Sequence, residues 1–491
     1  MAEKTIVLVA FYNVKALGVR YLETALKKCG YKVITLFFKG FNSVSPKAAT
    51  AKEIKLLTEL INKNSPVFVA LSVMSSMYLD TVYGLISGIK AGTKVPIACG
   101  GAYATMFPDK LMEKGADFVI RGDGENPICA LADAIGGDYS KVPSLCYKNG
   151  VIITNEISGV CNNIDEYGLP AIICENACYI ENDKLIFGDP QLKTRSYEVI
   201  ASRGCPFNCS YCCCVNLRRL MPKEIKTVRT RSVHSVIDEL KIAKKELKKL
   251  VFVHFYDEIF PNTPGWVDEF VVEYKKHINL PFTIWSHPKM VDEKLLLKLK
   301  KIGLTEIIMG IQSGSVRVRK DVFSRNETQA DVLKAVSAIQ KAKLHGAFDF
   351  MLRHPFETVE DIKETFKLVS QFKLPFELQL HGLNFLPGTD IVEKAIDGGY
   401  ITKEKMDEIM YAPMQEQFSA YWHREGEKES DLWYKLIYCL QFKGLNKKAM
   451  KFANDPFAFE DEINACYIKG EKKAKQAYMI KKIKIVIKSK I

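Results

Sequence analysis

The sequence lacks a long apolar run, and this absence excludes a membrane-spanning helix. Its first apolar stretch, residues 5–12, is too short for a membrane span or a signal core and has no cleavage pattern. The 14 cysteines are spread over 491 residues and follow no secretory segment, so they do not indicate a disulfide scaffold. We therefore expect a protein of the reducing cytoplasm.

A recognisable nucleic-acid-binding module is also missing, so the formal net charge of +13 does not by itself indicate a nucleic-acid partner, and we expect none. Part of this charge lies in the carboxyl-terminal tail, where residues 469–491 hold nine lysines and one glutamate among apolar residues. Two interpretations stay open. The tail is a solvated helix or strand, or it makes a peripheral contact with an anionic membrane surface.

The chain is long enough for two or three domains, and its first part alternates apolar strands with helical patterns. Strands are predicted at residues 5–12, 31–38, 66–74, 95–100 and 117–121. Continuous Val, Ile and Leu runs separated by helices are typical of a doubly wound parallel sheet that is covered on both faces. Residues 1–140 are therefore predicted to form an α/β domain of the Rossmann-like type.

Residues 141–196 differ from the first domain, because their apolar runs are short and Asn, Asp and Gly are frequent. The segment Lys148-Asn-Gly150 predicts a hairpin turn. We interpret this region as a linker. Cys174 and Cys178 lie within it, but two ligands alone make a poor metal site, so we interpret them as buried residues or residues without a role.

From residue 197 the alternation of strands and helices resumes. Strands are predicted at residues 198–202, 250–256, 282–286, 306–311, 347–352 and 377–383. Six repeats of strand and helix indicate a partial parallel barrel of the TIM type over residues 197–395, with its chemistry at the carboxyl ends of the strands. Residues 396–491 are predicted to be a mostly helical region that ends in the basic tail.

The most specific pattern is Cys205-Pro-Phe-Asn-Cys209-Ser-Tyr-Cys212, a Cys-x3-Cys-x2-Cys triplet directly after the first barrel strand. Three soft thiolates in one loop suit a four-iron cluster and leave its fourth iron without a protein ligand. Zinc is the alternative, but a structural zinc site needs four ligands, and no partner Cys or His lies at suitable spacing. Cys213 and Cys214 could serve only by straining the loop, so we interpret them as bystanders.

A second group of residues follows the strands of the first sheet. It comprises Asn13, Lys15 and Gly18 after the first strand, Ser72, Met74 and Ser75 after the third, Gly100, Gly101 and Tyr103 after the fourth, and Gly122 and Glu125 after the fifth. Glycine at such positions lets a bulky ligand approach the backbone, and helix amino termini favour phosphate groups. Each fragment alone is weak evidence, because glycine pairs after strands are common in turns.

The cysteine loop, with Pro206, Asn208 and Tyr211, resembles the signature of the radical S-adenosylmethionine (SAM) enzymes. This resemblance implies a [4Fe–4S] cluster held by Cys205, Cys209 and Cys212, and a SAM molecule chelated at the open iron. The residues at positions that would meet SAM in this family are Tyr211, Asp257, Glu258, Gln312, Ser313 and Leu386. Gln312 stands where Glu is usual, and Arg353-His-Pro-Phe356 replaces the usual Gly-Leu-Pro-Gly. Arg353 could bind a carboxylate with two hydrogen bonds, or it could be a surface residue without a specific function.

The second group resembles the cobalamin-binding domain that precedes the radical SAM core in one branch of the same superfamily. The resemblance implies that the eleven residues of this group surround cobalamin. Here Lys15 stands where a His would ligate cobalt, and a protonated lysine is a poor ligand. Either cobalamin binds with its base displaced and without a His ligand, which we favour because the glycine loops remain, or the domain has lost its cofactor.

The resemblance implies a methyltransferase that moves a methyl group from methylcobalamin to an unactivated carbon through a 5′-deoxyadenosyl radical. Two alternatives stay open. A cyclase or ring-rearranging enzyme would use the same cofactors, and a cobalamin or iron–sulfur binding protein would have no catalytic role. The expected partners are an electron donor such as flavodoxin or ferredoxin and a substrate that is a small molecule, a lipid or a peptide.

Overall fold

A computed structural model describes residues 4–43, 45–422 and 426–488, and it gives no side-chain detail for residues 421, 422 and 481–488. The side chains of the last lysines in the basic tail, for which two interpretations were open, lie outside the described part. Among the described residues, no helix combines the length and the apolar character that crossing a bilayer requires.

The first part of the chain forms one mixed sheet with helices on its faces. Its strands are β1 (Thr5–Phe11), β2 (Lys32–Phe38), β3 (Val69–Ser72), β4 (Ile97–Gly100), β5 (Phe118–Ile120), β6 (Leu145–Asn149), β7 (Val151–Thr154), β8 (Ala177–Glu181) and β9 (Lys184–Phe187). Its helices are α1 (Leu17–Lys28), α2 (Ala51–Asn64), α3 (Leu79–Gly92), α4 (Ala102–Met106), α5 (Pro108–Glu113) and α6 (Glu125–Ala134).

The order of the strands is β7-β6-β5-β4-β3-β1-β2-β8-β9, and the strands from β5 to β8 in this order pair in parallel. The central strands are buried on both faces, which explains their continuous apolar sequences. The chain leaves β1 toward one side and β3 lies on the other, so a crevice opens at the carboxyl ends of these two strands. The predicted doubly wound sheet is confirmed.

The predicted linker contributes to this sheet. Residues 141–196 contain two antiparallel hairpins, β6–β7 and β8–β9, which extend the two edges of the parallel core. The turn predicted at Lys148-Asn-Gly150 joins β6 to β7, and Gly150 has a φ of +75° there. Sequence reasoning missed the strand β8 because its partner, β2, lies about 140 residues earlier in the chain. The domain boundaries at 140, 196 and 395 stay predictions.

The second part of the chain forms the partial barrel. Its elements are β10 (Ser196–Val199), β11 (Ser202–Arg203), α7 (Cys213–Leu220), β12 (Arg229–Thr230), α8 (Val233–Glu246), β13 (Phe252–Phe255), α9 (Pro264–His277), β14 (Phe282–Ser286), α10 (Glu293–Lys301), β15 (Leu304–Gln312), α11 (Gln329–Lys341), β16 (His345–Met351), α12 (Val359–Val369), β17 (Glu377–His381) and α13 (Asp390–Asp397). The six strands in the order β10-β13-β14-β15-β16-β17 are all parallel, as predicted. Thr328 and Thr358, directly before α11 and α12, cap these helices in capping boxes.

The last part is helical, with α14 (Lys403–Met410), α15 (Met414–Trp422), α16 (Lys428–Cys439), α17 (Leu445–Phe452) and α18 (Glu460–Lys488). Helix α16 packs its Leu432, Trp433 and Leu436 into the core of the barrel, where the Trp433 ring lies 5.3 Å from that of Phe366. The helical region therefore continues the hydrophobic core of the barrel and covers the end of the strand series beside β17.

Candidate active site

The cysteine loop lies between β11 and α7, where the first barrel strand ends. Gly204 opens the loop with a φ of +96°, and a Cβ there would lie 2.1 Å from the backbone oxygen of Thr227. Only glycine fits this close approach of two backbones. Cys209 is buried, and Cys205 and Cys212 are half-buried.

Several hydrogen bonds fix this loop from both sides. The guanidinium of Arg218, on α7, donates to the backbone oxygens of Cys205 at 2.7 Å and Phe207 at 3.2 Å. Ser210 donates from its hydroxyl to the Val322 oxygen at 2.6 Å and from its backbone NH to the Phe323 oxygen at 3.0 Å. These four hydrogen bonds tie the loop to α7 and to residues 322 and 323, which helps to hold the thiols in place before any ligand arrives.

Arg325 places a permanent positive charge beside the cysteines. Its guanidinium lies 3.9 Å from the Cys209 sulfur, and it donates to the Tyr211 hydroxyl at 3.0 Å and to the Gly310 oxygen at 2.8 Å. Burial raises the pKa of the Cys209 thiol, and the charge of Arg325 partly offsets that effect by favouring the thiolate. Sequence reasoning missed Arg325, because nothing in its local sequence indicates a partner 116 residues earlier.

Arg325 is itself held by Glu327, which also lies 3.4 Å from His287. Burial opposes ionisation of Glu327, but the contact with His287 and the charge of Arg325 outweigh it and lower its pKa to about 2. The ring of His287 in turn stacks on Phe207 of the cysteine loop, with ring centroids 3.7 Å apart. The loop therefore rests on a buried ionic network.

The spacing of the cysteines bears on the choice between zinc and an iron cluster. Burial and the mutual repulsion with Cys209 and Cys212 raise the pKa of Cys205 to about 11, so the three sulfurs are close enough to interact. In the described part of the chain, the only three Cys, His or carboxylate ligands within 4.8 Å of one another are Glu306, His345 and Glu377. One tetrahedral zinc ion would need its sulfurs about 4 Å apart. At least one pair of the three cysteine sulfurs is therefore more than 4.8 Å apart, which is wider than a single zinc ion requires.

A cavity of about 990 Å³, here called the barrel cavity, extends from the carboxyl ends of the barrel strands to the amino end of β17. Of the six residues predicted to meet SAM, Tyr211, Gln312 and Leu386 line it. Gln312 lies at a bulge in β15 with a φ of +71°, and its buried Oε1 has no hydrogen-bond partner among the described residues. An acceptor held in a strained backbone and left unpaired is suited to a ligand hydroxyl or amine.

The other three predicted SAM residues lie elsewhere. The buried Asp257 accepts hydrogen bonds from the backbone NH groups of Ala201 and Ser202, at 2.9 and 2.6 Å, so it fixes the approach to the cysteine loop. Ser313 is fully buried and accepts from a backbone NH two residues on. Glu258 is exposed and lies 3.8 Å from the Cys214 sulfur, next to the cysteine loop but outside the wall of the cavity.

A second pocket, here called the sheet-edge pocket, has a volume of about 310 Å³ and lies at the carboxyl ends of β1, β3, β4 and β5. Seven of the eleven residues predicted to surround cobalamin line it: Gly18, Ser72, Met74, Gly100, Gly101, Gly122 and Glu125. A Cβ at Gly18 would meet nothing within 4 Å, and one at Gly101 would lie 2.7 Å from the Val73 oxygen. Gly18 therefore leaves its side of the crevice open, whereas Gly101 is required by the close approach of the backbone at Val73. The pocket is large enough for a nucleotide base with its sugar.

The remaining four residues of that prediction point away from the sheet-edge pocket. Asn13 accepts from the backbone NH groups of Lys15 and Ala16 and so shapes the turn before α1. Ser75 lines the barrel cavity instead. Tyr103 is buried, and its ring packs 5.1 Å from that of Phe107.

Lys15 is the fourth of these residues, and its ammonium group is occupied. It lies 3.0 Å from a carboxylate oxygen of Glu198 and donates to the Ser196 hydroxyl at 3.0 Å, both on β10. The side chain is 14% exposed, so this ion pair is well shielded from solvent. Lys15 thus joins the sheet to the barrel, and its ammonium group is not available to ligate a metal ion.

The sheet-edge pocket is completed by residues that sequence reasoning missed. Arg203, directly before Gly204, forms ion pairs with Glu125 at 2.5 Å and Asp123 at 3.4 Å across the domain boundary. Its guanidinium also lies between the rings of Tyr21 and Tyr167, 5.1 and 5.0 Å from their centroids. The only signal in the sequence was the position of Arg203 beside the cysteine motif. Leu217 of α7 and Met221, which follows the last residue of that helix, also line the pocket.

Two family models match the chain. The radical SAM superfamily model matches residues 199–369, and the B12 binding domain model matches residues 3–132. The two matches follow each other in the same order as the sheet and the barrel.

Two curated relatives are similar to this chain over about 70% of its length. The chain is 27% identical over 348 residues to the uncharacterized methyltransferase PH0819 of Pyrococcus horikoshii, covering 69% of this chain and 72% of that protein. It is 22% identical over 379 residues to the anaerobic magnesium-protoporphyrin IX monomethyl ester cyclase of Cereibacter sphaeroides, covering 71% of this chain and 55% of that protein.

Solved structures share the fold. The radical SAM methyltransferase TsrM from Kitasatospora setae superposes with a TM-score of 0.62 at 18% identity, over 80% of this chain and 78% of that one. The cobalamin-dependent SAM radical enzyme OxsB superposes with a TM-score of 0.64 at 14% identity, over 95% of this chain and 72% of that one.

Proposed function

Since the chain belongs to the radical SAM superfamily and carries a B12 binding domain ahead of its radical SAM domain, we propose that it is a methyltransferase acting on an unactivated carbon. The proposed reaction takes the methyl group from SAM by way of cobalamin. It depends on holding two cofactors and one substrate within reach of each other.

One observation carries the proposal: the two pockets share the segment around the cysteine loop. Arg203, one residue before Gly204, lines the sheet-edge pocket, and Tyr211, inside the loop, lines the barrel cavity. Helix α7 begins directly after Cys212, and its Leu217 returns to the sheet-edge pocket. Groups bound in the two pockets would therefore be neighbours, as a methyl transfer between them requires.

Cys205, Cys209 and Cys212 would hold the iron–sulfur cluster. Cobalamin would be held by the residues of the sheet-edge pocket, among them Gly18, Gly100, Gly101 and Gly122. When bound, the cluster supplies the electron that cleaves SAM to a 5′-deoxyadenosyl radical, and the cobalamin carries the methyl group. The positive charge of Arg325 stabilises the thiolate form of Cys209, which is the form that binds iron.

Other residues would orient the cofactors and enclose the reaction. The unpaired Oε1 of Gln312 can accept a hydrogen bond from a ribose hydroxyl of SAM. Because Lys15 is engaged by Glu198, it would offer no ligand to a bound cobalamin. Residues of the first domain, among them Met77 and Tyr78, form part of the wall of the barrel cavity and would help to exclude water from a reactive radical.

We propose a cytoplasmic enzyme that receives electrons from flavodoxin or ferredoxin, because reductive cleavage of SAM needs a one-electron donor of low potential.

The first experiment determines iron, sulfide and corrinoid in an anaerobic preparation. Alanine at Cys205, Cys209 or Cys212 should each reduce the iron content to less than about half. Cys213→Ser, in the same segment, is the matched control and should retain iron. Equal iron in all four variants would contradict the assignment of the ligands.

The second experiment follows the methyl group. With methyl-labelled SAM and a reductant, the proposed enzyme forms 5′-deoxyadenosine and a labelled product. Ring closure, the reaction class suggested by the cyclase relative, would form 5′-deoxyadenosine with an unlabelled product. A protein that contains all cofactors and never cleaves SAM would refute both catalytic functions in favour of a binding protein.

A further inference from the structure

The barrel cavity is acidic in a chain that is otherwise basic. Among the described residues that line it there are two carboxyl groups, Asp349 and Glu377, and neither a lysine nor an arginine. The whole chain has 70 Lys and Arg against 57 Asp and Glu, so the composition of this wall departs from that of the molecule. A field of one sign inside a cavity selects ligands of the opposite sign.

The other polar groups of the wall do not compensate for these carboxyls. Gln312, Gln379 and Asn384 are neutral amides. Burial lowers the pKa of His381 to about 4, so this imidazole is uncharged near neutral pH. Asp349 therefore faces the cavity with no lysine or arginine among the described lining residues, whereas Glu377 lies 3.2 Å from His345, which is not part of this wall.

Asp349 is the central group of this wall. It lies on β16, level with Gly310 of β15 and Gln379 of β17, and it is 8% exposed. Its Oδ1 has no hydrogen-bond partner among the described residues. A buried carboxyl oxygen without a donor is costly, so the site is complete only when a ligand supplies one.

The protonation of Asp349 agrees with that geometry. Burial, and to a lesser degree the nearby Glu377, raise the pKa of Asp349 to about 7. A cationic ligand that displaced water and paired with Oδ1 would favour the ionised carboxylate, whereas an anionic ligand would meet the carboxyl of Asp349 and no lysine or arginine in the described part of the wall.

The rest of the wall is aromatic and apolar. Trp285, Tyr434 and Tyr438 line it together with Leu380 and Met351. Aromatic faces accept cations and apolar rings equally well. At about 990 Å³ the cavity has room for the SAM molecule proposed to contact Gln312 and for a substrate beside it.

We infer that the substrate of this barrel carries an amine, or another strong hydrogen-bond donor, on an aromatic or otherwise apolar body, and that Asp349 receives that donor. The inference rests on the proposed function, because only a reaction inside the barrel places the substrate in this cavity. It argues against an anionic substrate. The chemistry of the wall, and not the net charge of the chain, decides what enters.

The test compares three probes of one shape on the anaerobically reconstituted full-length protein: 2-phenylethylamine, 2-phenylethanol and phenylacetate. Isothermal titration calorimetry should rank the affinities in that order, with the amine bound roughly tenfold more tightly than the carboxylate. This ranking needs no variant, so it remains informative if a substitution fails to fold. Phenylacetate binding as tightly as the amine would overturn the inference.

Asp349→Asn removes the charge at nearly constant shape and should abolish most of the preference for the amine. Glu416→Gln, at an acid that lines a separate cavity, is the control and should preserve it. An undiminished preference in Asp349→Asn would also overturn the inference. Release of 5′-deoxyadenosine by the wild-type protein without any probe is measured separately. This measurement tests the proposed function, whereas the ranking of the probes tests the inference about the substrate.

Discussion

Gly204→Ala tests whether the cysteine loop is held in place before a cluster binds. The added methyl group would lie 2.1 Å from the Thr227 oxygen, a backbone atom that cannot rotate away. Since a Cβ needs about 3 Å from such an atom, the two backbone segments must separate by about 1 Å. They belong to the short ladder in which Arg203 pairs with Arg229, so the shift acts directly on the residue before Cys205.

Two costs add in this variant. Alanine at a φ of +96° is strained, which costs about 1 to 2 kcal/mol, and forced overpacking adds about 1 to 3 kcal/mol. Gly188→Ala is a matched control, because its φ is +103° while its Cβ would meet nothing within 4 Å. The control therefore reports the backbone strain alone.

The assay combines urea unfolding of the apo protein with iron and sulfide determination after reconstitution. We expect Gly204→Ala to have a free energy of unfolding about 1 to 3 kcal/mol lower than that of Gly188→Ala and to bind clearly less iron. If the two variants unfold alike and bind equal iron, the close contact with Thr227 does not position the loop, and this explanation is wrong.

Three further predictions concern charged groups. Arg203→Gln leaves the carboxylate of Glu125 without its guanidinium and should lower the free energy of unfolding by about 3 kcal/mol, with partial recovery in Arg203→Lys; unfolding identical to the wild type would contradict the role of this pair. Lys15→Met should leave the corrinoid content unchanged, because the ammonium group is bound to Glu198, and a tenfold loss would show that it contacts the cofactor. The folded-state pKa of Glu327 is about 2, below its ordinary 4.5, so its contribution to stability is present above pH 4.5 and lost as the pH falls toward 2. Urea unfolding of Glu327→Gln between pH 3 and pH 6 should differ from the wild type most at the upper end, and a constant difference would exclude this linkage.

The parts of the site that depend on local sequence were predictable. The cysteine triplet and the glycines after the first-sheet strands lie within a few residues of a strand end, and parallel strands bring such ends to one edge. Direction is harder to predict than position. Asp257 and Ser313 both follow barrel strands, yet a single bond rotation at each decides between the cavity and the backbone, and both side chains pair with backbone NH groups.

Contacts between distant parts of the chain could not be predicted. Arg203 and Glu125 are 78 residues apart, and neither has a local pattern that indicates the other. The hairpins β6–β7 and β8–β9 had the composition of a linker because short edge strands need few apolar residues and gain their stability from the sheet they join. The sequence placed Asp349 on a predicted barrel strand but did not indicate its role, which comes from the missing partner of its Oδ1.

Helix α7 has a consequence for how ligands assemble on this protein. It is eight residues long, about 12 Å, and behaves as a short rigid rod with the third cysteine at one end and Leu217 on the wall of the sheet-edge pocket. A ligand that moves this rod changes the free energy of binding at both of its ends. This coupling is reciprocal. If binding of one cofactor changes the affinity for the other by some factor, binding of the other changes the affinity for the first by the same factor. The order of loading is then a matter of rates, since the fully loaded state is the same by either route.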